Sequence, residues 1–238
     1  MPFWSTGYLS GASKGAASHR RLMDFCLLWF VRYTGCMFEG WTPSDIGTII
    51  ICLLVSMTVH EFMHAYVGHV LGDDTAFEGG RVSFNPLRHI DPFMTIILPV
   101  ITLVVFHFPF MAAKPVPFNP HKVRFGEKGA ALLAAAGPLS NLAMAFLAAV
   151  LVHFTTLGFL QTAAEYFVQL NVVLFVFNLI PIPPLDGSRI LYAFAPESIQ
   201  DLMEQIEPYG FFIIFGLIWF GAGSYLYSLE NFVLNLLP

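Results

Sequence analysis

The sequence predicts an all-α polytopic membrane protein, and three observations carry that prediction. Of its 238 residues, 56% are hydrophobic and only 11% are charged, against about 25% charged in soluble domains. Apolar runs recur at the length of a bilayer crossing, roughly 20 residues. The densest group of Lys and Arg, four of the eleven, lies in one loop, 112–128. These features predict about five or six hydrophobic segments. The net charge of −5 comes without a basic patch interleaved with aromatics, so no nucleic acid is expected as a partner. Cys26, Cys36 and Cys52 are odd in number and lack Cys-x-x-Cys spacing, so they read as apolar fillers.

Residues 1–40 are expected to form an N-terminal tail followed by an interfacial or weak first membrane helix. Met1 to Ser18 is Gly-, Ser- and Ala-rich and has no apolar core of the cleavable-signal type. Leu22 to Phe38 is apolar but short, and Asp24 and Arg32 interrupt it. Residues 41–238 form the main domain. Trp41-Thr42-Pro43-Ser44-Asp45 reads as a loop ending in helix-capping chemistry. Ile46 to Leu71 is the first clear span, stopped by Gly72-Asp73-Asp74. Arg81-Val82-Ser83-Phe84-Asn85-Pro86 alternates and ends in a turn, which predicts a short strand over 82–85. An open strand edge cannot face lipid, so protein or water must shield it. Pro92 to Met111 is apolar with Pro99 near its middle, a kinked span or a re-entrant hairpin. Three prolines exclude regular helix from residues 112–128. Ala130 to Leu157, Phe167 to Ile182 and Phe211 to Tyr227 are the remaining spans, with a loop or surface helix over 188–209. Small residues from Ala135 to Ser140 would allow close helix contact.

Cation placement orients the chain. Lys114, Lys122, Arg124 and Lys128 sit together, and Arg189 is the only cation after residue 128, which places 112–128 in the cytoplasm. The span from Ala130 then runs outward and the span from Phe167 runs inward. If Ile46 to Leu71 also runs inward, both 72–91 and 112–128 are cytoplasmic and 92–111 is re-entrant. That is the favoured arrangement; the alternative is a full crossing by 92–111.

The chemistry-bearing stretch is Val59-His60-Glu61-Phe62-Met63-His64-Ala65, inside the first clear span. Residues i and i+4 share a helix face, so His60 and His64 can reach one metal ion with Glu61 beside them. The plainer alternative is two histidines plugging a gap between helices. Ionisable groups in a membrane helix are costly and usually mark a site. Asp186, at the end of a later apolar segment and followed by Gly187, is the candidate third ligand. Capping of an Asp-Gly turn is the plainer role for it.

Taken together, these motifs resemble the site-2 proteases, zinc metalloproteases that cut within membranes. The residues carrying the resemblance are His60-Glu61-Phe62-Met63-His64 and the run from Asn178 through Pro181 to Leu185-Asp186-Gly187. The stretches Arg81 to Pro92, Ala113 to Pro117 and Gly137-Pro138-Leu139-Ser140-Asn141 look like the compact bacterial branch, and no loop is long enough for a PDZ domain. The resemblance spans roughly residues 46–195. It implies that residues 41–238 form an intramembrane metalloprotease domain in a bacterial-type inner or plasma membrane, crossed several times. His60, His64 and Asp186 would bind one Zn2+ per chain. Glu61 would act as general base on the metal-activated water and pass a proton to the leaving amine. Asn178, eight residues before Asp186 and on nearly the same helix face, would help hold the peptide carbonyl. Pro181, Pro183 and Pro184 would bend the chain towards the site. The implied partner is a transmembrane segment of another protein within the lipid bilayer, presented as an unwound strand along residues 82–85. A non-proteolytic membrane protein using the metal for transport or scaffolding is the alternative from another class. A hydrolase of soluble peptides is a second. His69 is out of register with the metal face. His89, His107, His121 and His153 read as loop or interface residues, and Asn141 as a helix-contact residue.

Overall fold

The computed structural model describes residues 42–106, 114, 116–154, 158–217 and 223–238. The segment expected at Leu22 to Phe38 lies outside them. Helix α1 (Pro43–Val70) begins as the capping signal predicts. The Thr42 hydroxyl accepts from the Asp45 N–H at 3.3 Å, and Asp45 Oδ2 accepts from the Thr42 N–H at 2.9 Å. Gly72, at φ +95°, turns the chain at the other end. A short helix α2 (Thr75–Glu78), a 3-10 turn (Pro86–Arg88) and a π-helical stretch (Pro92–Ile97) follow, and the last runs into α3 (Leu98–Phe106). Pro99 brings no N–H to the ladder, and the wider register precedes it. Then come α4 (Glu127–Phe154), α5 (Gly158–Asn178), α6 (Asp186–Tyr192), α7 (Glu197–Ile206), α8 (Gly210–Leu217) and α9 (Gly223–Leu234).

Helices α1, α4 and α5 are long and apolar enough to cross a membrane, so three such helices stand among the described residues. They pack as a bundle with α4 between α1 and α5. On α4, Ala145, Ala148 and Ala149 meet Val168, Val172 and Val176 of α5, and Leu237 closes that core. Alanines let the two backbones approach closely. The outer faces are apolar and exposed. Ile51 is 64% exposed on α1 and Leu147 62% on α4. Surface of that kind suits lipid, not water.

Cross-helix contacts fix the directions. His64 lies against Leu133 and His60 against Asn141, so α1 and α4 are antiparallel. Asp45 meets Tyr166 and Ser56 meets Asn171, so α1 and α5 are parallel. The ends of α1 and α5 and the start of α4 therefore lie on one side. The Arg124 N–H donates to the Leu71 carbonyl at 2.8 Å across that junction, and the Lys114 N–H donates to the His89 carbonyl at 3.0 Å. His89 and Lys114 are thus paired at that junction, and 107–113, part of the segment expected over 92–111, lie outside the described residues.

Two expectations are corrected. No strand occurs among the described residues, and 82–85 is irregular. Its polar groups are held by side chains: the Asn85 N–H donates to the Ser83 hydroxyl and the His89 ring to the Ser83 carbonyl. With no partner strand nearby, alternation alone has nothing to pair with. The helix expected over Phe167 to Ile182 is instead α5, ending at Asn178 because Pro181, Pro183 and Pro184 cannot continue it. The last expected span, Phe211 to Tyr227, is described as α8 and α9, with 218–222 outside the described residues.

Candidate metal centre

His60 and His64 stand one turn apart on α1 and face α4, both buried. Asp186 arrives from a different element, the first turn of α6. Its Oδ2 lies 3.2 Å from His60 Nε2 and 3.3 Å from His64 Nε2, and the two Nε2 atoms are 3.0 Å apart. Around zinc, with bonds of about 2.0–2.2 Å, tetrahedral ligand atoms stand about 3.3 Å from one another. The triangle therefore has the size of one face of a single coordination sphere.

Proton placement points the same way. His64 Nδ1 is 2.8 Å from the Leu133 carbonyl, which can only accept. His64 thus carries its proton on Nδ1 and presents a lone pair at Nε2. His60 Nδ1 is 2.5 Å from Asn141 Oδ1, which imposes the same tautomer. Asp186 Oδ2 is buried and has no hydrogen-bond partner. Three lone pairs then converge without a proton between them, and a divalent cation satisfies all three.

Two glycines make this convergence possible. A Cβ at Gly137 would collide with Nε2 of both histidines, so α4 reaches the centre only with glycine there. A Cβ at Gly187 would collide with the Leu179 carbonyl, so the Asp186–Gly187 start of α6 can tuck against the end of α5.

Glu61 is partly buried, and its charge is felt by both His64 and Arg81. Burial works against the Arg81 charge and Glu61 works for it. Asn178 ends α5, and its Nδ2 donates to the Leu174 carbonyl at 2.9 Å. The expectation that Asn178 and Asp186 share a helix face is corrected, because the prolines between them break the helix. His69 is away from the centre as expected, paired with Asp74 at 2.5 Å. His89 is buried in the junction and donates from Nε2 to the Ser83 carbonyl at 2.7 Å, which leaves Nδ1 unpartnered. Asn141 does more than join helices: it holds His60. The signal for that was its spacing, since Gly137 and Asn141 are four apart on α4 as His60 and His64 are on α1. The Leu133 carbonyl carries no sequence signal at all.

The model of "Peptidase family M50" matches residues 154–221. "Putative zinc metalloprotease YwhC" of Bacillus subtilis is 40% identical over 199 residues, covering 79% of this chain and 88% of that one. The chain belongs to peptidase family M50, the site-2 proteases. "Putative zinc metalloprotease Rip2" of Mycolicibacterium smegmatis is 28% identical over 213 residues, covering 78% of this chain and 80% of the other. "Putative zinc metalloprotease MJ0611" of Methanocaldococcus jannaschii is 32% identical over 133 residues, covering 56% and 62%. No solved structure matches. This M50 member is accordingly a metalloprotease, its metal is zinc, and His60, His64 and Asp186 form the cluster that fits the ion.

Proposed function

We propose that this metalloprotease cleaves peptide bonds in or near transmembrane segments of other proteins, with its metal centre below the surface of the cell membrane. The observation carrying this is the position of the ligands. His60 and His64 lie about 10–15 Å along α1 from its C-terminal end, inside a helix long and apolar enough to cross a bilayer.

Zinc, when bound, acidifies water to near neutrality and polarises a peptide carbonyl. His60 Nε2, His64 Nε2 and Asp186 Oδ2 would hold it, and three protein ligands are the mark of a catalytic centre. Glu61 takes the proton from the attacking water and delivers it to the leaving amine. Asn178 uses one Nδ2 hydrogen on the Leu174 carbonyl and has the other for the substrate carbonyl. A substrate helix must unwind to reach the centre, because its peptide groups are otherwise paired internally. Residues 82–85 offer it a partner: Phe84 stacks on Phe62, next to Glu61, with ring centroids 4.0 Å apart. Extended backbone laid against Val82 and Phe84 would be recognised through main-chain hydrogen bonds.

Co-expression of candidate membrane substrates with the wild type and with Glu61→Gln tests this reading. The wild type yields a membrane-derived fragment and Glu61→Gln yields at least about 100-fold less, the usual worth of a general base. Equal fragment from both would contradict it.

A further inference from the structure

His64 and His60 need the same tautomer, but the structure secures it differently for each. His64 leans on a backbone carbonyl. His60 leans on Asn141, an amide that could equally well turn its nitrogen towards the ring. Something must hold that amide the right way round.

We propose that Asn171 of α5 sets the tautomer of His60 through Asn141, and so acts as a remote positioning residue for the metal ligand. One group in this series cannot change role. The Phe167 carbonyl only accepts, and Asn171 Nδ2 donates to it at 2.8 Å. The same nitrogen donates to the Ser56 hydroxyl at 2.9 Å. Asn171 Oδ1 must therefore face the other way, and there it accepts from Asn141 Nδ2 at 2.9 Å. Asn141 is thereby forced to present Oδ1 to His60, which must hold its proton on Nδ1 and keep Nε2 free for the metal. Asn141, Asn171 and Ser56 are all fully buried, so no water competes for these bonds. The relay crosses three helices, since Ser56 and His60 are on α1, Asn141 on α4 and Asn171 on α5. It extends a ligand's outer hydrogen bonding, normally one partner deep, by a second amide.

The inference rests on the metal reading of His60, and its test keeps the two apart. The full chain, labelled with 15N-histidine in detergent micelles, reports through its 15N shifts whether Nδ1 of each ring holds a proton. Zinc affinity is measured separately by competition with a chelator. In the wild type both rings carry the proton on Nδ1. In Asn171→Leu, Asn141 is free to turn, His60 becomes a tautomer mixture, His64 does not change, and zinc affinity falls about 10- to 100-fold. Ser56→Ala leaves the Phe167 carbonyl in place and behaves as wild type. Asn171→Ser, which back-bonds within its own helix and no longer reaches Asn141, shows the same selective change if the leucine variant does not fold. An unchanged His60 in these variants, or His60 and His64 changing together as loosened packing would make them, overturns the proposal. A wild type that takes up no zinc would refute the metal reading, while the ring shifts would still decide the relay.

Discussion

The bundle of α1, α4 and α5 and the junction at its end bury polar groups for different purposes. In the bundle, Ser56, Asn171 and Asn141 lead to His60, and every bond in that series ends on a metal ligand. In the junction, buried side chains stand in for missing secondary structure. Arg81 donates to the carbonyls of Arg88 and Lys114. Asp73 accepts from the Thr75 hydroxyl at 2.5 Å and from the Asn119 N–H at 2.6 Å. Irregular backbone cannot satisfy itself as a helix does, so charged side chains supply the partners. The comparison teaches that polarity in the bundle governs the metal, whereas polarity in the junction governs the shape of what faces it.

Changes in the two regions should therefore separate zinc binding from cleavage and from stability. The largest effect is expected at Gly137→Ala, whose Cβ would occupy the space in front of both Nε2 atoms. Zinc affinity should fall by more than about 100-fold, beyond the loss of an outer partner, as metal analysis of the purified chain would show. Zinc uptake at the wild-type level would break the comparison from the bundle side. Val82→Pro and Phe84→Pro remove an N–H each from the irregular stretch beside Phe62. Cleavage should fall by about 10-fold, one main-chain hydrogen bond's worth, with zinc content unchanged. Undiminished cleavage would mean that the substrate does not pair there.

The smallest effect concerns Asp73. Burial works against its charge, but the bonds from Thr75 and Asn119 and the charge of Lys122 outweigh it and depress its pKa. Because the folded value is the lower one, Asp73 stabilises the fold above the ordinary carboxylate range. That contribution is lost as pH falls through the folded value. Asp73→Asn should cost about 1 kcal/mol at neutral pH, seen in thermal melts, with the gap to wild type closing below about pH 4. A gap that widened in acid would contradict the assignment.

The metal ligands were legible in the sequence because their chemistry is local: His60 and His64 are four apart on a helix, and Asp186 is an acid at the edge of an apolar run. The Thr42–Asp45 cap was legible for the same reason. The role of Asn171 was not, because an asparagine in an apolar helix shows nothing of the amide it will meet. Asn141 was read only as a contact, since its partner lies 81 residues away. The strand predicted over 82–85 failed because alternation reports a face and not a neighbour. The shared face predicted for Asn178 and Asp186 failed because three prolines between them were read as a bend and not as the end of the helix.

The central claim is that His60, His64 and Asp186 hold one zinc ion together. X-ray absorption at the zinc edge on the purified chain tests it most directly. The account predicts two imidazole nitrogens and a carboxylate oxygen at about 2.0–2.2 Å, with the oxygen contribution reduced in Asp186→Ala. A sulfur neighbour at about 2.3 Å, or a spectrum that Asp186→Ala leaves unchanged, would contradict it.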